Sequence, residues 1–184
     1  AGVGESETKG EAESEGEKLS TDELITTCIL LLNAGHEATV HSIGNGVKTL
    51  LEEEVNPAYL NKGNIVKIVE EILRFDPPLH MFTRYAYEDI EIEGHTFNRG
   101  HEIGLMLGAA GRDPKSWKDP ELFIPDRPIK TNTALGGGIH FCVGAPLARL
   151  ELKVGISVLF ERCPNLKITK SPEYADLYHF HGLK

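Results

Sequence analysis

The chain has 184 residues, 40% hydrophobic and 26% charged, with a formal net charge of −9. That length accommodates one domain, or one and part of another, and the acidic balance excludes a chain-wide grip on nucleic-acid phosphates. No apolar run approaches the roughly 20 residues of a membrane span, and the acidic, Gly-rich start is neither a secretory signal nor an Arg-rich transit peptide. Three cysteines, Cys28, Cys142 and Cys163, form no CxxC pair. They argue against a disulfide framework or a Cys-based zinc site and for a reducing compartment, here the cytoplasm.

Residues 1–20 hold six Glu, two Lys and four Gly. They have almost nothing to bury and read as an acidic flexible arm. Ser20 with Glu23 three residues on forms a capping-box pattern, and the apolar spacing from Leu24 to Leu51 predicts one helix over about Thr21–Glu53, roughly 50 Å long. Its middle, Asn33-Ala34-Gly35-His36-Glu37-Ala38-Thr39, interrupts the apolar stripe. A mid-helix glycine costs about 1 kcal/mol relative to Ala, which points to a close neighbour or ligand.

A second helix spans about Asn64 to Phe75, stopped by Asp76-Pro77-Pro78. Residues 80–107 change to a period of two, with turns at Glu93-Gly94 and Asn98-Arg99-Gly100, and read as hairpins. Residues 111–138 are loop-rich. The last strong helix opens at Pro146 and ends at Cys163-Pro164, with Leu147, Leu150, Val154 and Val158 as its expected buried stripe. Tyr178 to Leu183 reads as a short strand. The class is mainly α with small β hairpins.

The densest chemistry lies in Leu135-Gly136-Gly137-Gly138-Ile139-His140-Phe141-Cys142-Val143-Gly144-Ala145-Pro146-Leu147-Ala148. Its glycines permit a backbone path closed to other residues and let a flat ligand approach. Cys142 stands just ahead of a helix, where unpaired N–H groups and the positive end of the dipole favour thiolate over thiol. Such a thiolate is a good iron ligand. A nucleophilic cysteine paired with His140 fits the spacing too. Glu71 and Arg74, at i,i+3, can pair on one helix face, and Arg127 could close the pair into a network.

Two tempting motifs fail. His36 and His41 are five apart, about 140° around a helix, so one face cannot offer both to a metal as HExxH does. Gly44-Asn45-Gly46 follows no strand and lacks the third glycine of a dinucleotide fingerprint.

Together these residues carry a resemblance. Gly136-x-Gly138-x-His140-x-Cys142-x-Gly144-Ala145-Pro146-Leu147-Ala148-Arg149 resembles the haem loop of the cytochrome P-450 family of haem-thiolate monooxygenases. Glu71-x-x-Arg74 with Pro77-Pro78 resembles its K-helix motif, and Phe123-x-x-x-Arg127 the third member of its ion network. Ala34-Gly35-His36-Glu37-Ala38-Thr39 resembles the centre of its I helix, and Arg112-Asp113-Pro114 also fits. The elements occur in the family's order, as in soluble bacterial members.

The resemblance implies a thiolate-ligated haem b, with Cys142 as the proximal iron ligand. It implies that Leu135, Gly136, Gly144 and Ala148 frame the haem loop. Arg84 and His140, with His80 as a third, contact the propionates, and Ala34 and Gly35 lie against the distal haem face. Glu71, Arg74 and Arg127 become a structural network. Glu37 and Thr39 become the candidate catalytic residues, because the usual I-helix threonine is replaced by Ala38. Phenylalanine at the head of the loop is replaced by Leu135, and the asparagine before Arg-Asp-Pro by Gly111.

The family's catalytic domain is about twice this length, so the chain corresponds to its C-terminal half. Residues 21–184 are then the haem-binding portion, missing most of the substrate pocket. The implied activity inserts one oxygen atom of O2 into an apolar small molecule. Electrons come from NAD(P)H through a ferredoxin- or flavodoxin-type donor and its reductase. A peroxide-driven peroxygenase and a catalytically silent haem-binding or interaction fragment stand as alternatives, with a cysteine hydrolase a distant fourth.

Overall fold

A computed structural model describes residues 18–60 and 63–184. The expected acidic arm therefore lies, apart from residues 18–20, outside the described residues. Helix α1 spans Thr21–Glu52, and both halves of its capping box are made. The Glu23 N–H donates to Ser20 Oγ at 3.3 Å, and the Ser20 N–H donates to Glu23 Oε2 at 2.8 Å. A turn at Pro57–Tyr59 leads to α2, Ile65–Phe75, whose last turn meets Asp76 and two prolines.

Strands follow at β1 (Met81–Tyr85), β2 (Ile90–Ile92), β3 (His95–Phe97) and β4 (Glu102–Met106). β2 and β3 are the expected hairpin, turning at Glu93 and Gly94, both with positive φ. The turn at residues 98–100, however, does not pair its flanking strands. β4 returns past the hairpin to lie antiparallel to β1, with Met81 opposite Met106 and Tyr85 opposite Glu102. Long-range pairing of this kind leaves no local sequence signal. Leu107 does not continue the strand but opens the short helix α3, Leu107–Ala110. The tail forms no strand; it contributes the isolated bridges Leu79–Phe180 and Tyr174–Leu183.

Helix α4 spans Ala145–Arg162, close to its expected limits, but its buried face is not the expected one. Leu147, Leu150, Val154 and Val158 are 57, 53, 51 and 37% exposed, whereas Leu152, Ile156 and Phe160 are buried. Both rows have helical spacing, so the sequence pattern fits either. Packing against α1 and α2 selects the second row. There the core forms, with Leu50, Ile65, Ile68, Ile72, Leu73, Leu152 and Ile156 together. Gly46 marks the crossing: a Cβ there would stand 3.0 Å from Ile72 Cδ1 and 3.4 Å from Ile156 Cδ1. The Gly-Asn-Gly segment thus serves close helix packing, and Asn45 Nδ2 donates to the carbonyls of Asp76 and His181.

The N-terminal half of α1 packs differently. Leu24, Ile25, Ile29, Leu31 and Leu32 are all exposed, so this half has apolar side chains without cover from the described residues. Among those residues no helix is long and apolar enough to cross a membrane.

The polar centre of the fold is the pair Glu71 and Arg74, 2 and 1% exposed. Arg74 meets both carboxylate oxygens of Glu71 at 2.7 Å and donates to the carbonyls of Gly111, Pro120 and Leu122. Arg127 closes the network at 3.0 Å from Glu71 and donates to the carbonyls of Lys118, Asp119 and Leu122. Gly111 lies against this network: a Cβ there would collide with the Arg74 carbonyl oxygen. Its φ of −67° is open to any residue, so space, not backbone freedom, demands glycine.

Two outcomes follow from this packing. Arg74→Met leaves a buried carboxylate short of a partner and should cost about 3–5 kcal/mol in urea denaturation. Gly111→Ala forces backbone apart and should lower stability by about 1–3 kcal/mol in the same measurement.

Candidate functional site

The segment ahead of α4 is held by its own backbone. The Cys142 N–H donates to the Leu135 carbonyl at 2.9 Å, and the Cys142 carbonyl accepts from the Ala145 N–H at 3.1 Å. Gly136 and Gly138 have φ of 77° and 63°, a region costly for other residues. A Cβ on Gly136 would also stand 3.2 Å from the His140 carbonyl oxygen. One side of the loop is anchored, since Ala134 is buried and Leu135 packs on the core. The other side is open: Ile139 and Val143 are 97 and 87% exposed, and Phe141 is exposed beside them.

Cys142 is a free, half-buried thiol at the end of this loop. Gly144 caps the following helix without a side-chain hydrogen bond, and a Cβ there would lie 3.8 Å from Cys142 Sγ. Ala148 is half-buried in the first turn, while His140 is exposed at the end of a short 3-10 turn, Gly138–His140. Leu135, Gly136, His140, Cys142, Gly144 and Ala148 thus share one loop-and-helix unit.

Arg149 belongs here as well. Its guanidinium pairs with Glu70 of α2, with Nη2 3.2 Å from Oε2. The Glu70 hydrogen bond chiefly holds its pKa above the ordinary arginine value; burial opposes this, and the charges of Glu70 and Cys142 add to it. Only the three-dimensional approach of α2 and α4 gives this residue its electrostatic role.

On α1, Ala34, Gly35 and Glu37 are exposed, and a Cβ on Gly35 would meet no atom within 4 Å. Of the close neighbour or ligand expected at Gly35, no protein neighbour is found among the described residues, and the space beside it is open. Glu37 Oε1 stands 3.9 Å from His41 Nε2. The Thr39 hydroxyl is turned toward α4 and donates to Glu151 Oε2 at 3.3 Å. Arg84 extends from β1, exposed, with one guanidinium nitrogen on the Thr83 carbonyl. His80 has different surroundings: its ring stacks on His181 at 3.8 Å.

These residues fit a haem. They provide a thiol at the mouth of a helix, apolar loop side chains facing outward, and open space along a Gly-containing stretch of helix. Arg84 and His140 supply accessible cationic and imidazole donors suited to carboxylates.

Comparison with known proteins shows the family. Residues 65–173 match the family model for Cytochrome P450. The chain is 40% identical over 166 residues to the biotin biosynthesis cytochrome P450 of Bacillus subtilis, covering 89% of this chain and 42% of that protein. It is 38% identical over 155 residues to the cytochrome P450 monooxygenase PikC of Streptomyces venezuelae, covering 83% and 37%. Among solved structures, P450BioI in complex with a hexadec-9Z-enoic acid ligated acyl carrier protein superposes with a TM-score of 0.87 at 40% identity, over 92% of this chain and 45% of that one. CYP109E1 from Bacillus megaterium in complex with testosterone gives 0.88 at 34% identity, over 94% and 49%. The chain spans about two fifths of the length of the curated relatives it matches. With helices and small antiparallel sheets that superpose on those structures, the chain belongs to the cytochrome P450 family.

Proposed function

We propose that this chain is the haem-thiolate part of a monooxygenase acting on an apolar small molecule, with Cys142 as the ligand to iron. The observation that carries the proposal is the backbone-clamped loop that delivers Cys142 to the start of α4. When bound, haem supplies the dioxygen chemistry that places one oxygen atom in substrate and releases the other as water, with electrons from NAD(P)H through a ferredoxin- or flavodoxin-type carrier and its reductase. P450BioI is described with a carrier-bound fatty acid and CYP109E1 with testosterone; these two ligands support an apolar substrate here.

The residues divide the work. Positive-φ glycines and the two backbone bonds of Cys142 set the sulfur's position before any ligand arrives. Arg149 and the first turn of α4 place positive potential near that sulfur. Arg84 and His140 orient the haem by its carboxylates, and exposed Ile139, Phe141 and Val143 exclude water around it. Ala34 and Gly35 leave the facing stretch of α1 free of bulk. Glu37 is the proton donor on that stretch, since Ala38 has no hydroxyl and the Thr39 hydroxyl is engaged by Glu151. The same two residues favour a peroxide-driven variant as the second reading, because hydrogen peroxide brings its own protons.

Reconstitution tests the proposal directly. The chain loaded with haem, reduced and exposed to carbon monoxide should give a strongly red-shifted Soret band, and Cys142→Ser should abolish the shift. Retention of the band in that variant refutes thiolate ligation by Cys142. Glu37→Gln should leave the band unchanged and lower product formation with NAD(P)H and carriers by roughly 10²-fold, the usual scale of a lost general acid. Haem binding without turnover of any apolar substrate, by either electrons or peroxide, would instead establish a catalytically silent fragment.

A further inference from the structure

A second cluster of ligating side chains lies where the tail docks on the end of α2. Asp76 caps α2 and is buried, with its carboxylate turned toward the tail. Oδ2 accepts a hydrogen bond from the Tyr174 hydroxyl at 2.5 Å, and Oδ1 stands 3.2 Å from His181 Nε2. His181 is sandwiched between His80 and Tyr174, each ring 3.8 Å away and tilted by only 22° and 21°. One donor atom each of Asp76, His80 and His181 lies within 4.8 Å of the others. Beside them is a cavity of about 330 Å³, also lined by Lys48, Arg112 and Tyr174.

The positions are built into the backbone. The His181 N–H donates to the Pro78 carbonyl at 2.7 Å, and its carbonyl accepts from Asn45 Nδ2 at 2.7 Å. The His80 carbonyl accepts from the Gly108 N–H at 3.2 Å. Gly182 is pressed so closely on the His41 ring that a Cβ would overlap it. Among the described residues, neither ring nitrogen of His80 has a hydrogen-bond partner, so packing leaves this imidazole's lone pair unused. Burial, followed for His181 by the neighbouring His80, holds both imidazoles below the ordinary histidine range; nearby Asp76 opposes that shift in each. A shift in that direction favours the neutral imidazole, the form that binds metals.

We infer that Asp76, His80 and His181 form a binding site for a zinc-class divalent cation, distinct from the thiolate loop. Two imidazoles and one carboxylate are a donor set that such ions accept, leaving a position for water. Donor atoms around a tetrahedral zinc sit about 3.4 Å apart, given metal–ligand lengths near 2.1 Å. Side-chain rotation into the cavity supplies the remaining closure. Binding through Nε2 requires the imidazole proton of His181 to sit on Nδ1 or to leave to solvent, and the ion then takes over the 3.2 Å approach of Nε2 to Asp76 Oδ1. It also ties the tail to the end of α2 and the start of β1.

The charges around the site set its strength. Lys48 Nζ lies 3.7 Å from Asp76 Oδ2 but closer, at 3.0 Å, to Glu52. Its ammonium opposes the incoming ion, and Glu52 draws it partly aside. Arg112 is spent on the Phe75 carbonyl and Glu121. A site with one carboxylate and one adjacent ammonium is tunable by removing that ammonium.

The test uses the 184-residue chain without haem, titrated with Co2+ and then with competing Zn2+. One equivalent should bind with visible ligand-field bands and no thiolate charge-transfer band, and Zn2+ should displace it and raise the thermal midpoint. His80→Ala and His181→Gln should each weaken binding by at least roughly tenfold, Lys48→Met should tighten it, and Cys142→Ser should leave it unchanged. Circular dichroism identifies any variant that fails to fold. Should His181→Gln misfold, the His80→Ala titration and the wild-type thermal shift decide. Wild-type affinity in His80→Ala, a thiolate band lost in Cys142→Ser, or no binding and no thermal shift each overturns the inference. None of these outcomes depends on haem, so failure here leaves the proposed thiolate chemistry standing, and failure of that chemistry leaves this site standing.

Discussion

The fold depends on one buried carboxylate serving two guanidinium groups. Glu71 supplies a single negative charge to Arg74 and Arg127, so the cluster carries an excess positive charge away from water. Backbone carbonyls offset that excess. Those of Gly111, Lys118, Asp119, Pro120 and Leu122 all point inward at the two arginines. A long segment with little regular structure offers such carbonyls because they are not spent in helices or sheets. The irregularity of residues 111–128 is thus a condition of the ion cluster. The cluster in turn fixes where that segment runs and where residues 133–144 begin.

Much of this was legible in the sequence. Helix ends followed from Ser20 with Glu23, from Asp76-Pro77-Pro78 and from Pro146, because caps and prolines act locally. The cysteine loop was legible because clustered glycines and a cysteine just ahead of a helix act through adjacent residues alone. What escaped was whatever depends on distant partners. The buried face of α4 could not be chosen from periodicity, since Leu147, Val154 and Val158 form one apolar row and Leu152, Ile156 and Phe160 another. The pairing of β1 with β4 skips a hairpin. Thr39 reaches Glu151 across two helices, and His80 meets His181 about a hundred residues later in the chain. No local rule anticipates such meetings.

The apolar surfaces have a common geography. The uncovered row of α4 and the first half of α1 carry large aliphatic side chains, whereas the second half of α1 and the inner row of α4 are packed together. Apolar area in water costs roughly 25 cal/mol per Å2, so the described residues spend their packing at one end of α1 and leave the other end exposed. Gly35 and Glu37 lie on the exposed stretch. The open space beside Gly35 and the uncovered apolar helix are consequently the same structural feature.

Position and chemistry are separated in the cysteine loop. The sulfur of Cys142 takes no part in the bonds that shape the loop; its backbone N–H and carbonyl do that, assisted by glycines at 136 and 138. A serine at 142 keeps those bonds and changes only the side-chain atom, so replacing the sulfur need not disturb the fold. The ion cluster is the reverse case: Glu71, Arg74 and Arg127 touch no reacting group, yet they hold the segment that leads into the loop. Substitutions there act on chemistry only through geometry. A residue whose contribution is electronic can thus be told from one whose contribution is placement by whether stability and spectrum change together or apart.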